Sequence, residues 1–223
     1  MKQLSQKLFL AVFLVLCAST HLLAQLTGLK TIGTGGDYTT FALAVTDLNA
    51  QGVGAGGVIF EFIDNGGSNY SENPAATISI TTTTATAANT IVFRPSTSIG
   101  TVTILGSFPG GLLILNGADY VTFDGRNGGV GTNKNITLRN NNISTSTVLF
   151  NSSATNNNLT NVKILSRNAT LTSGAVAFVG AAVGGNNNNV LDNCEISGDG
   201  TGFPVNAISI SSKNGTPLYT PLK

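Results

Sequence analysis

"NNNLTNVKILS", residues 156–166, is echoed further along the chain by "NNNVLDNCEISG", residues 187–198. The two strings align if one residue is inserted in the second, and Val162 and Ile164 then fall opposite Cys194 and Ile196. A short β-rich run behind an asparagine turn, repeated with its apolar pair kept, marks stacked structural repeats. Strands of a first kind precede each copy: "TVLFNS" (147–152) comes before "NVKILS" (161–166), and "AVAFVG" (175–180) before "NCEISG" (193–198). Upstream, "LLILNG" (112–117) precedes "YVTFDG" (120–125), "NITLRN" (135–140) adds a rung of the second kind, and "AISISS" (207–212) opens a further unit. The step is 28 residues from Phe150 to Phe178 and 32 from Phe178 to Ile210. An irregular period of this size with Asn/Gly turns predicts a β-solenoid. A β-sandwich also has short strands and frequent turns, but it does not explain why strand pairs recur with similar sequence.

Nearer the N-terminus, "TISIT" (77–81), "TIVFRP" (90–95) and "VTILG" (102–106) are short β-rich runs punctuated by Pro95 and by glycines. Before them, Phe41, Ala44, Val45 and Leu48 stand at i, i+3, i+4 and i+7, which predicts a short helix starting near Asp37 to Thr40 and stopping at Gly52. "VIFEFID" (58–64) follows as a strand that is apolar on both faces. Between helix and strand, "GVGAGG" (52–57) matches G-x-G-x-x-G, yet the order is helix then strand, the reverse of what a dinucleotide site needs. Those glycines read as a helix-to-strand turn.

The chain has 223 residues with 11 basic and 10 acidic side chains, one histidine and two cysteines. Lys2 and Lys7 followed by "LFLAVFLVLCASTHLLA" (8–24) have the charged start, apolar middle and small-residue end of a signal peptide, with cleavage expected after Ala24. The run is short for a membrane span and no basic stop-transfer cluster follows it. Cleavage removes Cys17 and His21 with the two lysines, leaving no histidine, one cysteine and a net charge near −1. That excludes Ser-His-Asp and Cys-His catalysis, histidine zinc sites and an intrachain disulfide. It also offers no basic field for nucleic acid. Hydrophobic content of 41% is too high for a disordered low-complexity tract, so the composition describes an all-β secreted protein rich in tight turns.

"GGDYTTFALAV", "GGVIFEFID" and "NYSEN" resemble the opening of right-handed parallel β-helix proteins of the pectin lyase-like superfamily. In that family a helix caps the first coil and a following G-x-Y-x-E closes the next turn. The resemblance implies that Asp37, Tyr38, Phe41, Ala44 and Val45 form the cap and that Tyr70 and Glu72 form the turn. "YVTFDG" and the asparagine strings are similar to family coils, in which asparagines stack at turns and aliphatic residues stack inward. More narrowly, the chain resembles large secreted surface proteins of gliding bacteria of the Bacteroidetes type. The paired aspartates and arginine of the esterase members have no match here. The expected organisation is a signal peptide (1–24), a cap helix with the first coil (25–75) and parallel coils (76–223). Because an open coil end is an aggregation template, further C-terminal domains or a partner are expected beyond Lys223.

Five groups of residues are candidates for chemistry or binding. Asp124 and Arg126 in "FDGRNGG" are either a carboxylate and cation flanking a sugar or, preferably, an Asp-Gly turn with a solvated arginine. Asp192, Glu195 and Asp199 are the densest acids and offer oxygen ligands to calcium; Asp192 also joins Asp124 and Arg126 as a catalytic candidate, with Lys163 or Arg167 as further participants. Cys194 aligns with Val162 and reads as a small buried apolar residue. The asparagine runs read as turn formers and amide ladders. Tyr38, Tyr70, Tyr120 and Tyr219 are the rings available to stack on a sugar. The expected function is a secreted, non-catalytic surface or adhesion module that contacts polysaccharide or other cell-surface components. A polysaccharide lyase or carbohydrate esterase is the first alternative and a structural stalk the second.

Overall fold

The computed structural model describes residues 24–67, 69–73, 78–180 and 184–211. The expected signal peptide up to residue 23, Tyr219 and the end of the chain lie outside the described residues.

Strand β1 (Leu26–Ile32) leads into helix α1 (Phe41–Gln51), and from there the chain runs in coils of three strands. The first coil holds β2 (Val53–Phe62), β3 (Asn69–Ser71) and β4 (Ser79–Ile80); the second holds β5 (Ile91–Pro95), β6 (Val102–Gly106) and β7 (Leu113–Asn116). The third is β8 (Val121–Asp124), β9 (Ile136–Asn140) and β10 (Val148–Asn151), and the fourth is β11 (Asn158–Thr160), β12 (Val162–Ser166) and β13 (Val176–Phe178). The fifth is β14 (Val190–Asp192), β15 (Glu195–Ser197) and β16 (Ile208–Ile210). Like strands of successive coils pair in parallel, giving three sheets in the orders β1-β2-β5-β8-β11-β14, β3-β6-β9-β12-β15 and β4-β7-β10-β13-β16. The protein is a parallel β-solenoid of about five turns with one short helix near its N-terminus. Parallel pairing of every described strand excludes the antiparallel sandwich.

The expected repeat holds with two corrections. The 156–166 string maps on 188–198 without an insertion, so Asn158 pairs with Val190, Lys163 with Glu195 and Ile164 with Ile196. Each coil has three strands, not two: "YVTFDG" belongs with β11 and β14 in the first sheet, whereas "NITLRN", "NVKILS" and "NCEISG" contribute to the second. The missed strands β11 and β14 are three residues long and lie inside asparagine-rich text, each with a single inward leucine, Leu159 and Leu191.

Alternate residues point inward and stack in columns. Phe60, Phe93 and Phe123 stack face to face with centroids 4.8 Å apart, and Phe150 stacks on Phe178 at 4.5 Å. Such pairs add about 0.5–1.5 kcal/mol each beyond the area they bury. In β2 the residues Val58, Phe60 and Phe62 are buried while Ile59 and Glu61 are half-buried, so one face meets the core and the other does not. This replaces the expectation of a strand covered on both sides.

Thr40 caps α1 by accepting from the Leu43 amide at 3.2 Å, and Gly52 stops it with φ 70°. A Cβ at Gly52 would also lie 2.5 Å from Thr84 Oγ1. The remaining glycines of "GVGAGG" are not a turn, because β2 already begins at Val53 and shifts register against β1 between Leu26 and Gly28. The strand tolerates Gly57 because its Cα lies so close to the neighbouring coil that a Cβ would come within 2.5 Å of the Thr90 carbonyl oxygen.

Candidate functional site

Four charged side chains of the first sheet fall in one outward column. Register places Glu61, Arg94, Asp124, Thr160 and Asp192 side by side on successive coils. Glu61 accepts from Arg94 Nε at 2.9 Å and Nη2 at 2.7 Å, an ion pair between neighbouring coils that sequence inspection missed. Asp124 is closed by its own turn: Oδ1 accepts from the Arg126 amide at 3.0 Å and Nε at 2.8 Å, and Oδ2 from Nη2 at 2.7 Å. The bidentate bond to Asp124 raises the Arg126 pKa further and leaves Asp124 6% exposed. Gly125 permits this turn because a Cβ there would clash with the Asn161 carbonyl oxygen, only 1.8 Å away. Asp192, two coils on, is exposed and accepts from Thr160 Oγ1 at 3.3 Å.

The three acids weighed as calcium ligands are placed apart in role. Asp199 lies past β15, where Arg167 Nε donates to it at 2.5 Å and Arg139 Nη2 at 3.3 Å, with Thr201 and Gly202 closing a turn on its other oxygen. Burial works against the charge, but the Thr201 donors and the Arg167 guanidinium outweigh it and hold the carboxyl well below the usual range. Glu195 is exposed on the second sheet beside Lys163, in a shallow polar groove with Thr132, Asn133, Lys134 and Asn135. Among the described residues no group of three or more histidine, cysteine or carboxylate side chains is arranged to hold a metal ion.

Cys194 sits in the inward column of Val162, half-buried, with Sγ 3.2 Å from the Leu159 carbonyl oxygen. Burial raises its pKa, which keeps it a thiol rather than a nucleophile. The described tyrosines serve the framework. Tyr70 is buried, donates to the Ile32 and Ile63 carbonyls, and burial pushes its pKa up to about 12. Tyr38 donates to Asp47 at 2.5 Å and packs on Phe60 at 5.9 Å. Tyr120 is half-buried at φ 54°. Glu72 is also structural: its carboxylate accepts from the Phe41 and Ala42 amides at 2.9 and 3.2 Å, capping the first turn of α1. Burial dominates there and raises its pKa.

The asparagines do what their geometry suits. Asn156 and Asn188 (φ 57° and 55°) and Asn161 and Asn193 (φ 57° and 48°) hold left-handed turns stacked on one another. Asn193 Nδ2 donates to Asn161 Oδ1 at 2.9 Å, and buried Asn157 links Val121 N, Ala118 O and Asn189 in a ladder across three coils. Two further buried asparagines escaped sequence reading. Asn140 donates to the Ser146 carbonyl at 2.9 Å and Asn168 to the Gly174 carbonyl at 3.2 Å, pinning equivalent loops. The repeated Arg-Asn pairs at 139–140 and 167–168 were the available signal: both arginines reach Asp199 and both asparagines hold loops.

Comparisons with protein-family models, curated proteins and solved structures find no match to this chain.

Proposed function

We propose that this protein is a secreted, non-catalytic surface module of the pectin lyase-like kind whose lateral faces contact polysaccharide. The observation that carries this reading is the commitment of three of its carboxylates. Glu61, Asp124 and Asp199, three carboxylates that could have served as acid, base or nucleophile, are each engaged by arginine and form part of the framework. What the coils present laterally is mostly amide, hydroxyl and aliphatic surface, the chemistry that meets sugar hydroxyls and C–H faces. Kinship with the superfamily draws support from the three parallel sheets, the asparagine ladders and the helix whose first turn is capped by Glu72. Secretion rests on the charged and apolar opening segment.

A glycan array run beside an absorbance assay for uronate lyase activity tests the proposal. The expected result is saturable binding to at least one polysaccharide with no turnover. Turnover of pectin or alginate would overturn the non-catalytic reading, and silence in both assays would leave a structural stalk.

A further inference from the structure

The outer face of the third sheet carries a feature that the charged column does not. Its outward column runs Ser79, Ile114, Leu149, Ala177 and Ser209 over five coils, so the branched aliphatic side chains of the second and third coils give way to small ones in the fourth and fifth. Ala177 points outward and is nevertheless only 3% exposed, and it shares a recess with Ser144, Ser146, Thr172 and Ser173 of the loops that precede the strands. The result is a groove of about 160 Å³ with an aliphatic floor at Leu149 and Ala177 and a rim of Ser144, Thr172, Ser209 and Ser211. One wall is held in place by the buried amides of Asn140 and Asn168 and by the 2.7 Å hydrogen bond between Ser146 and Ser173. Among the described residues none of its lining side chains is charged.

We propose that this groove seats one ring of an extended, neutral polysaccharide lying along the solenoid axis, a proposal that rests on the polysaccharide-contacting reading above. Three properties select that occupant. The absence of charge from the described lining disfavours uronates and sulfated sugars, whose desolvated anion would find no partner. Hydroxyls around an aliphatic floor match the alternating hydroxyl and C–H character of a pyranose. Coils repeat about every 4.8 Å, close to the advance of one sugar unit in an extended chain, so neighbouring rungs can meet neighbouring rings. The volume lies below the roughly 300–1,000 Å³ of a site that engulfs a small molecule, which suits a cradle for part of a polymer.

Affinity electrophoresis of the full chain in gels containing neutral polysaccharides (glucan, mannan, xylan) or acidic ones (pectate, alginate) tests the assignment. Ala177→Arg fills the groove floor, Thr172→Arg blocks the exposed rim, and Lys163→Ala alters the separate polar groove beside Glu195; circular dichroism melting checks that each variant folds. Retardation by a neutral polysaccharide should fall at least tenfold in Ala177→Arg and severalfold in Thr172→Arg, and stay unchanged in Lys163→Ala. If Ala177→Arg does not fold, Thr172→Arg alone decides. Retardation by neutral polymers that survives the groove variants, or binding confined to acidic polymers, overturns this assignment and leaves the broader reading standing. Binding to none of the polymers overturns both.

Discussion

The two ends of the solenoid are built from the same columns and end in different ways. At the first coil, Val58 and Phe60 are 1% and 0% exposed, because β1 pairs along the outer edge of β2 and α1 closes over the coil. Phe41 from α1 meets Phe62, Phe93 and Phe123 edge-on with centroids 5.2 to 6.0 Å apart. At the fifth coil, Ile208 and Ile210 occupy the inward columns of Val176 and Phe178 yet are 43% and 48% exposed, and no described strand pairs with the outer edges of β14, β15 or β16. Phe203 nearby is 81% exposed. An inward position in a solenoid is therefore buried only when a neighbour on each side covers it. The N-terminal cap is a distinct piece of structure that supplies one of those neighbours.

The largest test of this contrast is Phe41→Ala. Losing a fully buried ring against three aromatic partners should cost about 3–5 kcal/mol, read as a lower denaturant midpoint. Phe203→Ala, at the exposed end, should leave the midpoint nearly unchanged. Equal effects would break the contrast. Next in size, Asn157→Ala removes an amide that serves the Val121 amide, the Ala118 carbonyl and Asn189, at about 1–3 kcal/mol. Hydrogen exchange should then accelerate at Val121. Exchange that stays as slow as before would show that the ladder carries no coupling between coils.

Acid should separate the ends more gently. The pKa of Asp199 is lower in the folded chain than in the unfolded one, so its contribution is complete above about pH 4 and is lost as the pH falls further. The pKa of Glu72 is raised on folding, so its end loses stability as the pH rises through that raised value and regains it on acidification. Amide protection, taken relative to the intrinsic exchange rate at each pH, should therefore fall first around Thr201 and Gly202 on acidification while Phe41 and Ala42 stay protected. The reverse order would contradict both shifts. The smallest expected effect is Cys194→Val, which repeats the residue found one coil earlier at Val162 and should change stability by less than about 1.5 kcal/mol. In the parent chain the thiol should react slowly with a thiol reagent at neutral pH, because burial raises its pKa.

Much of the architecture was legible because a repeat copies its own errors and successes. The alternating apolar residues of "NVKILS" and "TVLFNS" announce inward columns, and the helical spacing from Phe41 to Leu48 announces the cap helix. The strands β11 and β14 stayed hidden because one inward leucine each is too little periodicity to separate a strand from an asparagine-rich loop. The charged residues were harder. Asp124 and Arg126 read as an Asp-Gly turn with a solvated arginine, whereas the guanidinium closes back on the carboxylate; Glu61 with Arg94, and Asp199 with Arg139 and Arg167, meet only across coils.

By itself the sequence determined the class of fold, the helix and its stops, the turn-forming role of the asparagines and the absence of a histidine after residue 21. These depend on local spacing and on composition, which a linear text records in full. Only the tertiary structure decided that there are three sheets, which acids meet arginine on another coil, and that an outward alanine on the third sheet lies at the floor of a groove. Each of those is a relation between residues one or more coils apart. Their separation along the chain varies from coil to coil because the turns differ in length, so the neighbour that decides a side chain's environment is found through strand register.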